Sequence, residues 1–179
     1  ILTGDVIYGE FDDKGTALVS FINFMESFQI PWAPVFGNHD NESKKGVDWQ
    51  CEQLVNAEYC LFEQKELSGN GNYSVGIAQG GELLRVFYMM DTNDYGTSPR
   101  ITLDNGHSTT KMGLQPDQIE WYKKTTDKLK EANNGETVNS LVFQHIIVGE
   151  IYDVLEKSDS KKPYAYKHLY NGFNLRSRY

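Results

Sequence analysis

The chain has 179 residues, of which 39% are hydrophobic, 23% charged and 13% aromatic. This composition excludes a disordered, collagen-like or disulfide-dense protein and favours one soluble globular domain. The formal net charge is −8 and the lysines form only short pairs, so no nucleic-acid partner is expected. No apolar run approaches the ~18 residues of a membrane-spanning helix, so no membrane partner is expected either.

The two cysteines bear on the cellular compartment, and the first residues bear on whether the sequence is a piece of a longer protein. Cys51 and Cys60 either form one bridge in an oxidising compartment or serve as two small buried apolar groups, the second being slightly favoured. A secreted and a cytoplasmic location both stay open. Residues 1–5 (ILTGD) are typical of a buried strand entering a turn, and no signal peptide precedes them. We therefore expect a piece of a longer protein.

The first half of the chain alternates between helical and extended patterns. The spacing of apolar residues predicts a helix over 14–28, with Phe24 and Phe28 on its apolar face. A short buried strand is expected over 33–36 and a weaker helix over 47–57. Two β-rich runs then flank a glycine pair and predict a hairpin: 72–78, Gly80-Gly81 and 83–90.

The second half begins with a long polar segment over 92–112, of the kind that is usually functional or mobile. A helix is predicted over 115–131, a strand buried on both faces over 140–148, and a short helix near 150–157. Strands that alternate with helices favour a layered α/β domain. In such domains ligands bind beyond the carboxyl ends of the strands.

Three apolar strand runs end in, or contain, side chains with metal-binding chemistry. Asp5 follows Gly4, the tetrapeptide GNHD fills 37–40, and His145 lies inside the last apolar run. Alone, each has an ordinary explanation: a turn or cap, a turn, and a core histidine. Together they would deliver carboxylate, amide and imidazole groups to one sheet edge, which is the ligand chemistry of a hard or borderline cation.

These motifs resemble those of a known family. GDVIY, GNHD and VFQH look like the second, third and fourth motifs of the calcineurin-like metallophosphoesterases, in particular of the purple acid phosphatase and Dcr2-like branch. Residues 30–43 (IPWAPVFGNHDNES) and 115–122 (QPDQIEWY) are similar to the fungal and plant Dcr2-like members. The resemblance covers most of 1–155. It implies a metallophosphoesterase-type β-sandwich flanked by helices, as one incomplete catalytic domain over 1–179 truncated at both ends.

The resemblance implies a dinuclear metal centre. In it Asp5 bridges two metals, Asn38 and His145 bind the second metal, and Tyr8 binds the first as a phenolate. A phenol titrates near pH ~10, so a strongly acidic ion such as Fe(III) is needed to hold it deprotonated. The expected pair is therefore iron with zinc, manganese or a second iron. The alternative for Tyr8 is an aromatic residue that covers the core at a strand end.

The same resemblance implies hydrolysis of phosphate esters by in-line attack of a metal-bound hydroxide. His39 would bind the phosphate and protonate the leaving oxygen, and Asp40 would orient its ring. Glu150 is expected to be structural or to support the ligands. The expected substrates are phosphorylated small molecules or phosphoproteins, with phosphomonoesters first.

Two motifs of the family are missing from the sequence: D-x-(G/H) upstream and G-H-x-H downstream. His107 and His168 lack the second histidine and are expected to be a loop residue and a surface residue. A site short of ligands binds metal weakly, so this chain alone is expected to be metal-poor or inactive. Two alternatives stay open: a non-catalytic binding or regulatory module, and a phosphodiesterase or nucleotidase.

Overall fold

The structure is a computed structural model. It describes residues 1–8, 14–93, 101–102, 108–109 and 113–147. These residues form a mixed α/β arrangement, in agreement with the predicted class. The strands are β1 (Leu2–Thr3), β2 (Pro34–Val35), β3 (Tyr73–Gln79), β4 (Glu82–Met89), β5 (Ile101–Thr102), β6 (Ser108–Thr109) and β7 (Ser140–Phe143). The α-helices are α1 (Thr16–Glu26), α2 (Val47–Val55) and α3 (Pro116–Ala132), and a 3₁₀ turn spans Asp40–Glu42.

The strands form three small sheets. β1 pairs with β2 in parallel, so the chain leaves both strands at the same edge. β3 and β4 form an antiparallel hairpin, and β7 adds to β4 in parallel, which gives the order β3-β4-β7. β5 pairs with β6. The hairpin was predicted from Gly80 and Gly81, whose φ angles of 60° and 86° are the positive values that a tight hairpin turn requires.

Two hydrophobic clusters hold the elements together, and β4 contributes to both. The first cluster packs α1 and α2 against β2 and the start of β3. Its buried members are Ile7, Leu18, Ile22, Trp32, Ala33, Val35, Phe36, Cys51, Leu54, Phe62, Tyr73 and Met89. The second packs α3 against Val86, Tyr88 and Met90. Successive side chains of a strand point to opposite faces, so β4 is covered on both sides.

Helix α3 begins where the sequence predicted. Gln115 and Gln118 exchange side-chain and backbone hydrogen bonds as a capping box, and Pro116 occupies the first helical turn. The helix packs through Trp121 and Tyr122 against the ring of Tyr88. This contact anchors the helix on one face of β4.

The prediction of the apolar face of the first helix was partly wrong. Leu18 and Ile22 are buried, but Phe24 and Phe28 are 60% and 53% exposed and pack edge-to-face on each other at 4.9 Å between ring centroids. The helix ends at Glu26, before the predicted end. Its buried stripe is therefore rotated away from these two phenylalanines, which shield each other instead of entering the core.

Strand β7 is shorter and more exposed than predicted. It ends at Phe143 because its parallel register with β4 runs out at Met89. Leu141 and Val142 are 47% and 42% exposed, since β7 forms the edge of its sheet within the described part of the chain. The chain then bends, and the Ile146 N–H donates to Thr92 Oγ1 at 3.1 Å. The prediction of a strand buried on both faces over 140–148 was wrong.

Both cysteines are free, Cys51 buried and Cys60 half-buried, and burial raises the pKa of each thiol to about 12. Across the described ranges, no helix has the length and apolar character needed to cross a membrane. The helix predicted near 150–157 lies outside the described residues.

The carboxylate of Glu26 joins the end of α1 to two segments of the first cluster. It accepts the indole N–H of Trp32 at 2.7 Å and the main-chain N–H of Tyr59 at 3.0 Å. Burial raises the pKa of Glu26, but these hydrogen bonds outweigh it and leave the pKa below its ordinary value. The ionised carboxylate therefore stabilises the fold above the pKa of the unfolded chain, and this contribution is lost as pH falls through the folded pKa.

We predict that Glu26→Ala lowers the free energy of unfolding by about 1–3 kcal/mol at pH 7, because it leaves the buried Trp32 indole without an acceptor. Urea unfolding at pH 7 and at pH 3 measures the effect, which should shrink at the lower pH. The matched control is Glu52→Ala, at an exposed position of α2. Equal stability of the two variants at pH 7 would contradict the prediction.

Candidate metal and phosphate site

The parallel pairing of β1 and β2 places two motifs side by side. Gly4 and Asp5 follow β1, and residues 37–40 follow β2, so both lie beyond the same ends of the two strands. This edge is where ligands bind in α/β sheets. His145 reaches the same place from the end of β7. The three motifs predicted from the sequence are thus brought together.

Asp40 holds the two loops against each other. Its Oδ2 accepts the main-chain N–H groups of Gly37 at 2.6 Å and Asp5 at 2.9 Å, and its Oδ1 accepts that of Ile7 at 2.8 Å. The residue is 3% exposed, and burial raises the pKa of its carboxyl, against the three N–H donors that lower it. Gln50 Nε2, on α2, donates to the main-chain carbonyl of Asp40 and so ties the loop to that helix.

Asp5 lies at the centre of the site. Its backbone is in the left-handed region, with φ of 54°, a conformation that aspartate tolerates better than most residues. One carboxylate oxygen, Oδ1, accepts the main-chain N–H of His39 at 3.0 Å. The other, Oδ2, lies 3.1 Å from Nε2 of His145. About a third of the side chain is exposed, so the carboxylate is open to a ligand.

Two glycines make this close approach possible. A Cβ at Gly4, whose φ is +98°, would lie 2.6 Å from Nδ1 of His145 and 2.7 Å from the main-chain nitrogen of Gly37. A Cβ at Gly37 would overlap the Asp5 carboxylate. The glycine in each motif is therefore required by the space between the two loops.

The ring of His145 is oriented by the backbone of β1. Its Nδ1 lies 2.6 Å from the carbonyl oxygen of Thr3. A carbonyl oxygen only accepts hydrogen bonds, so Nδ1 carries a proton and Nε2 is the nitrogen turned to Asp5. Metal-binding histidines are commonly held in this way, with one ring N–H donated to a carbonyl and the other nitrogen left for the metal.

Asn38 and Tyr8 occupy opposite environments. Asn38 is 7% exposed, and none of the described residues hydrogen-bonds its side-chain amide. Tyr8 is 42% exposed, and its ring packs edge-on against the ring of His39 at 4.6 Å between centroids. The structure thus places Tyr8 beside the site at the surface, where it does not cover the core.

His39 has a different orienting partner from the one predicted. Its Nδ1 lies 2.8 Å from Oε1 of Glu42, three residues further along the 3₁₀ turn. Both oxygens of Asp40 accept main-chain N–H groups instead. This corrects the expectation that Asp40 orients the ring: Asp40 holds the loop, and Glu42 holds the histidine. The spacing of His39 and Glu42 on one turn was the sequence signal for this pair.

The donor groups fit one side of a metal centre. Two ligands about 2.1 Å from one ion and about 90–109° apart are separated by about 3.0–3.4 Å, which matches the spacing of Asp5 and His145. The amide of Asn38, a residue that is 7% exposed, offers a neutral oxygen ligand. Among the described residues, however, no three His, Cys, Asp or Glu side chains are grouped to hold a metal. The fit is that of a partial ligand set.

Comparison with known proteins decides the family. The sequence model of the calcineurin-like phosphoesterases matches residues 1–174. The chain belongs to this family. Its members use divalent metal ions, and their substrates are phosphorylated. This membership confirms the resemblance found in the three motifs.

Two relatives show which branch the chain is similar to. It is 28% identical over 170 residues to "Phosphatase DCR2" of Saccharomyces cerevisiae, covering 88% of this chain and 28% of that protein. It is 25% identical over 182 residues to "Probable inactive purple acid phosphatase 29" of Arabidopsis thaliana, covering 90% of this chain and 44% of the relative. The chain therefore spans less than half the length of either relative. No protein of known structure matches it significantly.

Three candidate residues named from the sequence lie outside the described part of the chain: His107, Glu150 and His168. The same holds for most of the long polar segment over 92–112.

We predict that Gly37→Ala in the full-length protein lowers bound metal at least twofold, because the added methyl group displaces the Asp5 carboxylate. Metal content per chain, measured by mass spectrometry on the folded fraction after gel filtration, tests this. Gly113→Ala is the matched control, since a Cβ there meets no atom within 4 Å. Equal metal content in the two variants would overturn the inferred crowding.

Proposed function

We propose that this chain supplies part of the catalytic centre of a metal-dependent phosphoesterase that hydrolyses phosphomonoesters. The observation that carries the proposal is the contact between the Asp5 carboxylate and Nε2 of His145. The other ring nitrogen, Nδ1, is hydrogen-bonded to the Thr3 carbonyl, so Nε2 is the nitrogen left for a metal. A histidine held in this way beside a carboxylate is the arrangement of a metal-ligand pair with its outer support.

The proposed centre holds two metal ions, iron with zinc, manganese or a second iron. Asp5, Asn38, His145 and Tyr8 would hold these ions, with Asp5 shared between the two, Asn38 and His145 serving the second and Tyr8 serving the first. When bound, the ions neutralise the charge of the phosphate and lower the pKa of water, so that a nucleophile is available near neutral pH. They would also allow a chain of net charge −8 to accept an anionic ester.

In this proposal His39 binds the phosphate and delivers a proton to the leaving oxygen. The Glu42 carboxylate accepts the Nδ1–H of His39 and fixes the ring plane. The proton delivered to the leaving oxygen is the one on Nε2, so His39 acts as the imidazolium with both ring nitrogens protonated. The N–H of His39 donates to Asp5, so the same residue joins the phosphate-binding and metal-binding parts of the loop. Asp40 supports both parts by holding the loop in place.

A second candidate function is a non-catalytic or metal-poor member that acts as a binding or regulatory module. Two observations favour it: the partial ligand set of the described residues, and the inactive label in the name of the Arabidopsis relative. A phosphodiesterase or nucleotidase activity is distinguished from both by trials with these esters on the full-length protein.

We predict that His39→Ala in the full-length protein lowers kcat about 100-fold or more while metal content stays near that of the unchanged protein. The reason is that His39 acts on the substrate and contributes only its backbone to Asp5. Hydrolysis of p-nitrophenyl phosphate and metal analysis of the same sample test this. Loss of metal in this variant would show that the role of His39 is wrong.

The matched substitutions Asn38→Ala and His145→Ala should give the opposite pattern. We expect them to strip metal first, with activity partly restored by excess metal, because each removes one ligand of a weakly held ion. Normal metal content in both variants would contradict their place in the proposed centre.

We predict that Tyr8→Phe abolishes any visible charge-transfer absorption of the iron-loaded full-length protein, because such a band needs the phenolate oxygen. The control is Tyr59→Phe, at a half-buried tyrosine whose main chain bonds Glu26 and Trp32. Absorption spectra of the two variants measure the effect. Survival of the colour in Tyr8→Phe would remove Tyr8 from the ligands.

A further inference from the structure

The backbone that carries His145 lies beyond the end of the sheet. The last ladder bond between β4 and β7 runs from the Met90 N–H to the Phe143 carbonyl, at 3.0 Å. The strand ends at Phe143, two residues before His145. The imidazole is therefore attached to a bend, and the pairing of the strands does not by itself fix where the ring stands.

One hydrogen bond holds this bend. The main-chain N–H of Ile146 donates to Oγ1 of Thr92, which lies 54 residues earlier in the chain, at 3.1 Å. Among the residues that the structure describes, it is the one hydrogen bond made by the backbone of 144–147. Thr92 is 1% exposed, so the bond is shielded from water and strengthened by its surroundings. The path of the chain at His145 thus depends on a threonine side chain.

Thr92 is itself held by its neighbours. Its carbonyl oxygen accepts the Gly113 N–H at 2.7 Å. The carbonyl of the preceding residue, Asp91, accepts Nε2 of Gln118 at 2.7 Å, from a side chain of α3 that has no exposed surface. A β-branched side chain also has few rotamers available. The Thr92 hydroxyl is therefore an acceptor held in place by β4 and α3.

His145 has two supports, which act on different parts of the residue. The Thr3 carbonyl, 2.6 Å from Nδ1, fixes the rotation of the ring. The Thr92 hydroxyl fixes the backbone from which the ring projects. Together they bring Nε2 to 3.1 Å from the Asp5 carboxylate. Loss of an outer contact that orients a metal ligand commonly lowers metal affinity about 10–100-fold.

We propose that Thr92 is a positioning residue for the metal centre and acts through His145. Its hydroxyl holds the bend after β7 so that Nε2 of His145 faces the same ion as the Asp5 carboxylate. This inference rests on the proposed function, since it takes His145 as a metal ligand. It adds to the centre a residue that binds no metal itself and that none of the three sequence motifs contains.

The test measures Zn²⁺ binding to the metal-free full-length protein, by competition with a chromogenic chelator. Thr92→Val keeps the shape of the side chain but removes the acceptor, so we expect the Zn²⁺ dissociation constant to rise about tenfold. Thr92→Ser keeps the hydroxyl and should bind Zn²⁺ as the unchanged protein does. Thr92→Ala also removes the hydroxyl, and it serves as the second variant if the valine variant does not fold.

A double-mutant cycle shows whether the effect passes through His145. In the His145→Ala background, Thr92→Val should leave the Zn²⁺ affinity unchanged, because the side chain that it positions is already absent. A role confined to general stability would give the same loss in both backgrounds. The matched control is Thr126→Val on α3, which removes hydrogen bonds to Tyr88 and Tyr122 in the second cluster and should leave the Zn²⁺ affinity unchanged.

Failure of this inference and failure of the proposed function give different results. Unchanged affinity in the folded valine or alanine variant of Thr92, equal losses with and without His145, or an equal loss in Thr126→Val overturns the role of Thr92 alone. Unchanged affinity in His145→Ala, or no Zn²⁺ bound by the full-length protein, overturns the proposed centre and the role of Thr92 with it. Thermal unfolding of each metal-free variant identifies the folded chains, and affinities are compared among those.

Discussion

The buried carboxylate of Asp40 is the constraint on which the site depends. A carboxylate loses the solvation of water when it is buried, and here the loss is offset by three main-chain N–H groups drawn from both loops. The two loops can share these hydrogen bonds only if they pass within contact of each other. This close passage in turn leaves no room for side chains at Gly4 and Gly37.

His145 connects the loops that follow β1 and β2 with the sheet of β3, β4 and β7. It follows β7, which belongs to the sheet of β3 and β4, yet its ring bonds the backbone of β1 and contacts Asp5. The neighbouring Ile146 N–H is tied to Thr92, just beyond β4. The site therefore lies where the two sheets meet, and the position of one imidazole depends on the pairing of both.

Much of this could be predicted from the sequence. The periodicity located the three helices, and the glycine pair located the hairpin, because both signals are local. The three motifs of the candidate site were found because glycine and polar residues interrupt apolar strands. The exposure of Leu141, Val142, Phe24 and Phe28 could not be predicted, since it depends on which neighbours cover a strand edge or a helix face. The predicted contact of Asp40 with the His39 ring is replaced by a contact of Glu42 with that ring, because adjacent residues of a tight turn point in directions that the sequence does not fix.

The position of β4 between the two hydrophobic clusters has a consequence for unfolding. Met89 is buried in the cluster of α1 and α2, whereas Val86, Tyr88 and Met90 are buried against α3. Separation of α3 from the sheet would expose one face of β4, and separation of α1 and α2 would expose the other. Since neither half can keep β4 covered by itself, we expect the two clusters to lose their structure in a single cooperative transition, with the loops of the site released in the same step.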